Sequence, residues 1–168
     1  MPKKIIKRFL PDHQKIKNNR SLKIFGPLIH DANLWHLNRR SARSAFAIGL
    51  MFAFWPVPFQ MLLAAGLAIP FRANIPLSVG LVWLTNPFTM PPIFYGAYQV
   101  GVLVTGNNSG NFEFEASWQW LVDSLPTFGP TFLIGCLVCG TVASIIGFFG
   151  IDYIWRHSVR SAWKKRGR

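Results

Sequence analysis

Asn86-Pro-Phe-Thr-Met-Pro-Pro92 stands in the middle of a run from Ala73 to Phe112 that contains no Asp, Glu, Lys or Arg. The run is longer than the roughly 20 residues that cross a ~30 Å hydrocarbon layer. Three prolines, an amide and a hydroxyl interrupt it. A proline inside a helix removes a backbone donor and clashes with the carbonyl four residues back, and in hydrocarbon no water takes up the freed groups. The break is therefore predicted to be buried in protein or to line a wet cavity. Trp55-Pro-Val-Pro-Phe-Gln60 repeats the situation inside another uncharged run, Ser44 to Phe71.

A third uncharged run extends from Ser124 to Ile151. With 51% hydrophobic and 14% charged residues, the chain is too apolar for an ordinary soluble fold. The net charge of +12 would point towards nucleic acid in a soluble protein, but its distribution argues otherwise. Eleven of the 18 basic residues precede the first apolar run and six follow the last, with Arg72 alone between them. The positive-inside rule accounts for both clusters by placing both termini in the cytoplasm. The tails lack the interleaved aromatic and basic side chains of a base-reading surface, so no specific nucleic-acid partner is expected. Anionic lipid headgroups at the basic tails are the expected partner.

Taken in order, residues 1–30 read as a basic cytoplasmic tail. Asp31 is placed to cap an interfacial helix over 31–43, with Trp35 at headgroup depth. His30 and His36 lie in this part of the chain without a Cys or second acid at ligand spacing, and no metal site is expected. The broken segment 44–71 has two halves of about 12 or 13 residues, each ~18–20 Å long, which suits either a kinked helix or a re-entrant hairpin. The broken segment 75–106 follows the same plan, Gly-Leu-x-aromatic preceding both Pro56 and Pro87. Paired interruptions of this kind point to a binding site in transporters. An acidic, tryptophan-bearing outer loop over 107–123 and a transmembrane helix over 125–150 complete a membrane domain of 31–155, and 151–168 forms a second basic tail. With both ends inside and the acidic loop outside, one broken segment should cross and the other return. The first is assigned here as the hairpin.

The candidate polar-site residues are Gln60, Arg72, Asn74, Asn86 and Thr89. Pro56, Pro58, Pro87, Pro91 and Pro92 are the helix-breaking positions. The polar groups satisfy backbone atoms freed by the prolines, or line a cavity for an ion, a small solute or a lipid headgroup; both roles fit one site. Arg72 either snorkels to the interface or clamps an anionic group. Cys136, Gly140 and Ser144 form a small-residue row suited to close helix packing against another helix or protomer. Cys136 and Cys139 read as packing residues, because no His or acid adjoins them. No catalytic set and no cofactor motif is found, so an enzyme is not expected.

Asn38-Arg-Arg-Ser-Ala-Arg43, Phe46-Ala-Ile-Gly-Leu50, Pro56-Val-Pro-Phe-Gln60, Arg72-Ala-Asn-Ile-Pro76 and Trp83-Leu-Thr-Asn-Pro-Phe-Thr-Met-Pro-Pro92 resemble the bacterial membrane-protein family of domain of unknown function 2062. The resemblance implies a small integral membrane protein of the bacterial inner membrane and supplies no activity. The expected fold class is all-α and integral to the membrane, with Pro-broken, partly re-entrant helices and one C-terminal transmembrane helix. The expected function is transport of a small solute or handling of a lipid at a polar site between the broken segments, with a membrane-embedded scaffold as the alternative. A three-element membrane fold buries little surface, so a homo-oligomer, or a further membrane-protein partner, is expected.

Overall fold

The structure is a computed structural model and describes residues 32–107 and 118–166. The basic tail over 1–30, the capping role of Asp31 and the acidic residues Glu113 and Glu115 lie outside the described residues. The described residues form a short helical turn and five helices, without strands. We label them α1 (Ala32–Trp35), α2 (Arg39–Ala53), α3 (Gln60–Ala68), α4 (Ile75–Val82), α5 (Met90–Thr105) and α6 (Trp118–Arg166).

The helix expected over 31–43 is divided at 36–38, and its second part runs on into the apolar run as α2. Asn38 is the cause. Its side-chain oxygen accepts from Ser41 N at 2.8 Å, while Ser41 Oγ accepts from Asn38 N at 3.1 Å. This reciprocal capping box starts a new helix at Arg39.

Helix directions follow from contacts at their ends. Arg39 of α2 is paired with Asp152, and a Cβ added at Gly147 would lie 2.5 Å from Leu50 Cδ1, whereas one at Gly140 would lie 3.1 Å from Met51 O. Residue numbers rise on α2 as they fall on α6, so the two are antiparallel. α5 is antiparallel to α6 as well: Tyr98 meets Phe128 edge-on at 5.9 Å between ring centroids and Phe94 meets Phe132 at 5.4 Å. α2 and α5 thus lie along successive stretches of one long helix. At 1.5 Å per residue, the 49 residues of α6 extend ~74 Å.

α3 and α4 fill the interval between α2 and α5. Asn74 N bonds Ser41 O at 3.2 Å, near the start of α2, and Thr85 Oγ1 bonds Ala53 O at 2.8 Å, at its end. α4 therefore runs parallel to α2. α3, which starts beside Phe52 and ends just before Asn74, must run back along it. Small residues make this folding-back compact: Ser41, Ala45, Gly49 and Ala53 recur every four residues on α2 and are all buried. Ala64, Ala65 and Ala68 of α3 and Ser78 of α4 are buried as well. A Cβ at Gly49 would meet Leu81 Cβ at 2.6 Å and Ser78 O at 2.7 Å.

The core divides into two clusters. One joins Leu34, Ala45, Ile48, Ala64, Ala65, Ile75 and Val82 with Trp155; the other joins Phe94, Ala97 and Tyr98 of α5 with Phe132 and Cys136 of α6. In the second, the backbones approach so closely that a Cβ at Gly135 would collide with the Ala97 carbonyl, and one at Gly101 with the Thr131 carbonyl. Among the described residues one helix, α6, is long and apolar enough to cross a membrane, and Leu133, Leu137, Ile145, Ile146 and Phe149 on it are exposed.

Gly135→Ala should lower the stability of the purified protein by roughly 1–3 kcal/mol, because the new methyl strikes backbone. Gly150 has open space at its Cβ position, so Gly150→Ala should raise stability by up to ~1 kcal/mol through helix propensity. Thermal unfolding followed by circular dichroism checks both. Equal effects at the two positions would mean that α5 does not seat on α6.

Candidate functional site

The two proline interruptions meet. Pro56 has no N–H to give the Phe52 carbonyl four residues back, and the chain turns away after Ala53. The side-chain amide of Gln60, oriented with its nitrogen towards the carbonyls, donates to Phe52 O at 3.1 Å and to Trp55 O at 2.9 Å. The Ala53 carbonyl is taken by Thr85 Oγ1, which comes from the second interruption and is itself buried. One hydrogen bond thus links two breaks that lie 32 residues apart in sequence.

The second break closes on itself. Asn86 Oδ1 accepts from Phe88 N at 3.0 Å and from Thr89 N at 3.1 Å; Thr89 Oγ1 accepts from Asn86 N at 2.9 Å and donates to Leu84 O at 2.6 Å. Pro91 and Pro92 then occupy the first turn of α5, where a helix leaves its N–H groups unpaired in any case. They start a helix instead of kinking one. The side chains left facing outwards around the two breaks are apolar, Leu84 and several prolines among them, and the largest are aromatic: Trp83, Phe59 at 74% exposure and Phe88 at 92%.

Arg72 and Asn74 stand elsewhere, at the turn from α3 to α4. Ala73 N bonds Ala68 O at 2.8 Å and Arg72 N bonds Ile69 O at 3.0 Å. This is the bond pair of a Schellman motif, in which the residue that ends the helix adopts the left-handed conformation usually given to glycine. Arg72 does so at φ 48°, with its side chain exposed. Phe59, at φ 64°, is a second left-handed residue, so α3 is bounded by strained backbone at both ends. Asn74 is 1% exposed and caps α4, its Oδ1 accepting from Leu77 N at 3.0 Å. Its amide nitrogen has no hydrogen-bond partner.

The five candidate residues therefore fall into two groups: Gln60, Asn86 and Thr89 at the junction of the breaks, and Arg72 and Asn74 at the opposite end of α3. Of the packing row, Cys136 faces α5 and the Gly140 backbone lies against α2. Sequence reasoning missed Thr85 as the link between the breaks and Asn38 as a cap. Asn38 is of a residue type favoured at N-caps, which the sequence shows; nothing local links Thr85 to Ala53.

It missed a charged site as well. Asp152, 8% exposed, receives Arg39 Nε on Oδ1 at 2.6 Å, Arg39 Nη2 on Oδ2 at 3.0 Å and Arg156 Nε on Oδ2 at 2.9 Å. Arg43 Nη1 lies 3.5 Å from Oδ1, and the Arg43 guanidinium sits over the Phe148 ring at 4.8 Å. The hydrogen bond to Asp152 raises the pKa of Arg39 above the ordinary arginine value. The cluster ties the start of α2 to α6. Among the described residues no group of three or more His, Cys, Asp or Glu is placed to hold a metal ion.

The family designated domain of unknown function 2062 and described as an uncharacterized protein conserved in bacteria matches residues 22–164. No curated protein and no solved structure matches the chain.

Arg72→Gly should relieve the left-handed backbone and raise stability by about 1 kcal/mol, or roughly 2–4 °C in the unfolding midpoint for a chain of this size. Arg72→Ala keeps the strained conformation and should give no such gain. A lower midpoint for Arg72→Gly would assign the side chain an interaction that outweighs the turn geometry.

Proposed function

From the premise that the chain belongs to the family of domain of unknown function 2062, we propose that it is a multi-pass protein of the bacterial inner membrane, with both termini cytoplasmic, that handles a lipid where its two interrupted segments meet. In this placement α2 enters from the cytoplasmic side, α3 returns towards it, α4 and α5 together cross, and α6 crosses back. The outward-facing apolar side chains of α6 support a hydrocarbon surrounding, since the core helix of a soluble protein would bury them.

The observation that carries the choice of lipid over solute is the chemistry left open at the junction. Gln60, Thr85, Asn86 and Thr89 are engaged with backbone groups of this chain. A polar solute needs donors and acceptors free to replace its hydration, whereas an acyl chain needs apolar surface. Trp83, Phe59 and Phe88 offer the latter.

A scaffold is the second reading, and one feature favours it. Met61, Leu63, Leu67 and Phe71 are exposed on and just beyond α3, a surface suited to a second copy of the chain or to another membrane protein.

Reconstitution into vesicles containing a headgroup-labelled phospholipid tests lipid handling with a membrane-impermeant quencher. Wild-type protein should increase quenching above that of protein-free vesicles, and Phe88→Asn should lower the rate. Thr85→Val, which leaves the Ala53 carbonyl unpaired, should lower the rate and also cost about 1–3 kcal/mol of stability. Quenching equal to that of protein-free vesicles, from a protein that migrates as a defined oligomer, would replace this reading with the scaffold.

A further inference from the structure

Three guanidinium groups converge on the single carboxylate of Asp152. Both of its oxygens are already engaged, so two of the positive charges are unmatched among the described residues. The Arg39, Arg43 and Arg156 side chains are 40%, 31% and 53% exposed, so the cluster is open to a ligand from outside. Arg43 Nε is buried and has no hydrogen-bond partner. Arg40 on α2 and Arg160, one turn beyond Arg156 on α6, are exposed on the same two helices. The first turn of α2 contains no acidic residue, so the positive end of its dipole adds to the field. Like charges gathered in this way are stabilised by a further anion.

The position of the cluster selects the anion. The uncharged run of α2 begins at Ser44, one residue after Arg43, and that of α6 ends at Ile151, one residue before Asp152. Arg39 and Arg43 meet Asp152, so both uncharged runs end at the same level, which in the proposed placement is where a leaflet carries its phosphates. Guanidinium groups bind phosphate oxygens through paired N–H donors, and each basic residue near an anionic surface adds on the order of 1 kcal/mol. We infer that Arg39, Arg40, Arg43, Arg156 and Arg160 form a binding site for a phosphate oxyanion, presented by the headgroup of an anionic phospholipid. The site is distinct from the junction of the breaks. It rests on the membrane placement proposed above and is independent of lipid movement at that junction.

The test uses the full-length protein in neutral detergent, with thermal unfolding recorded after addition of phosphatidylglycerol, phosphatidylcholine or inorganic phosphate. At a hundredfold excess over Kd, phosphatidylglycerol should raise the midpoint by roughly 5–10 °C, and phosphatidylcholine should not. Arg40→Gln with Arg160→Gln leaves the contacts to Asp152 in place and should remove at least half of that shift. Asp152→Asn should lower the midpoint without lipid and regain most of the loss with phosphatidylglycerol, because the phosphate takes over the stranded guanidinium groups.

An equal shift with phosphatidylcholine overturns the site. So does a phosphatidylglycerol shift that the double variant leaves intact and that fails to rescue Asp152→Asn, since the terminal tails would then carry it. A shift from inorganic phosphate equal to that from the lipid overturns the headgroup as the source. Redistribution of labelled lipid in vesicles without a phosphatidylglycerol shift would reject this cluster and leave the junction reading standing; a shift without redistribution would do the reverse.

Discussion

A backbone carbonyl or amide without a partner is costly inside a protein and more so in hydrocarbon, and the fold of this chain can be understood as the set of answers to that constraint. Most of the interruptions are met by specific side chains. Gln60 serves the carbonyls of Phe52 and Trp55, Thr85 serves Ala53, and Thr89 serves Leu84. Asn38, Asn74 and Asn86 serve the amide groups at the starts of α2, α4 and the turn into α5. Where no side chain does this work, at the end of α3, the backbone closes itself through Arg72 in a left-handed conformation. Polar residues in the apolar runs are thus first of all devices for ending and starting helices.

Close packing depends on a different property, the absence of side chain. Ser41, Ala45, Gly49 and Ala53 let α3 and α4 lie tightly on α2, and Gly101 with Gly135 lets α5 and α6 touch through their backbones. Dispersion between near surfaces, not exclusion of water, is what holds helices together when the surroundings are as apolar as the side chains. Large apolar residues can then face outwards, as Leu137, Ile146 and Phe149 do on α6.

These two properties place the chemistry. The junction of the breaks is internally satisfied and exposes aromatic side chains, and the arginine cluster on Asp152 lies at the end where α2 starts and the uncharged run of α6 finishes. The lack of free donors and acceptors at the junction is what favours the proposed handling of a lipid over movement of a polar solute.

Much of this was legible in the residues. The uncharged runs declared an all-helical, apolar chain, Pro56 and Pro87 marked its interruptions, and Asn38 is of a residue type favoured at N-caps. These are local properties, set by side-chain chemistry within a turn or two of the backbone. Tertiary structure decided the rest: that Thr85 reaches Ala53, that Arg72 is a turn residue and Asn74 a cap away from Gln60 and Asn86, that Gly140 lies on α2, and that Asp152 gathers Arg39, Arg43 and Arg156. Each of these joins residues that are distant along the chain, or turns on a backbone conformation that Arg seldom adopts. No spacing rule contains such information, because helix directions and contacts are settled only when the small-residue faces pack.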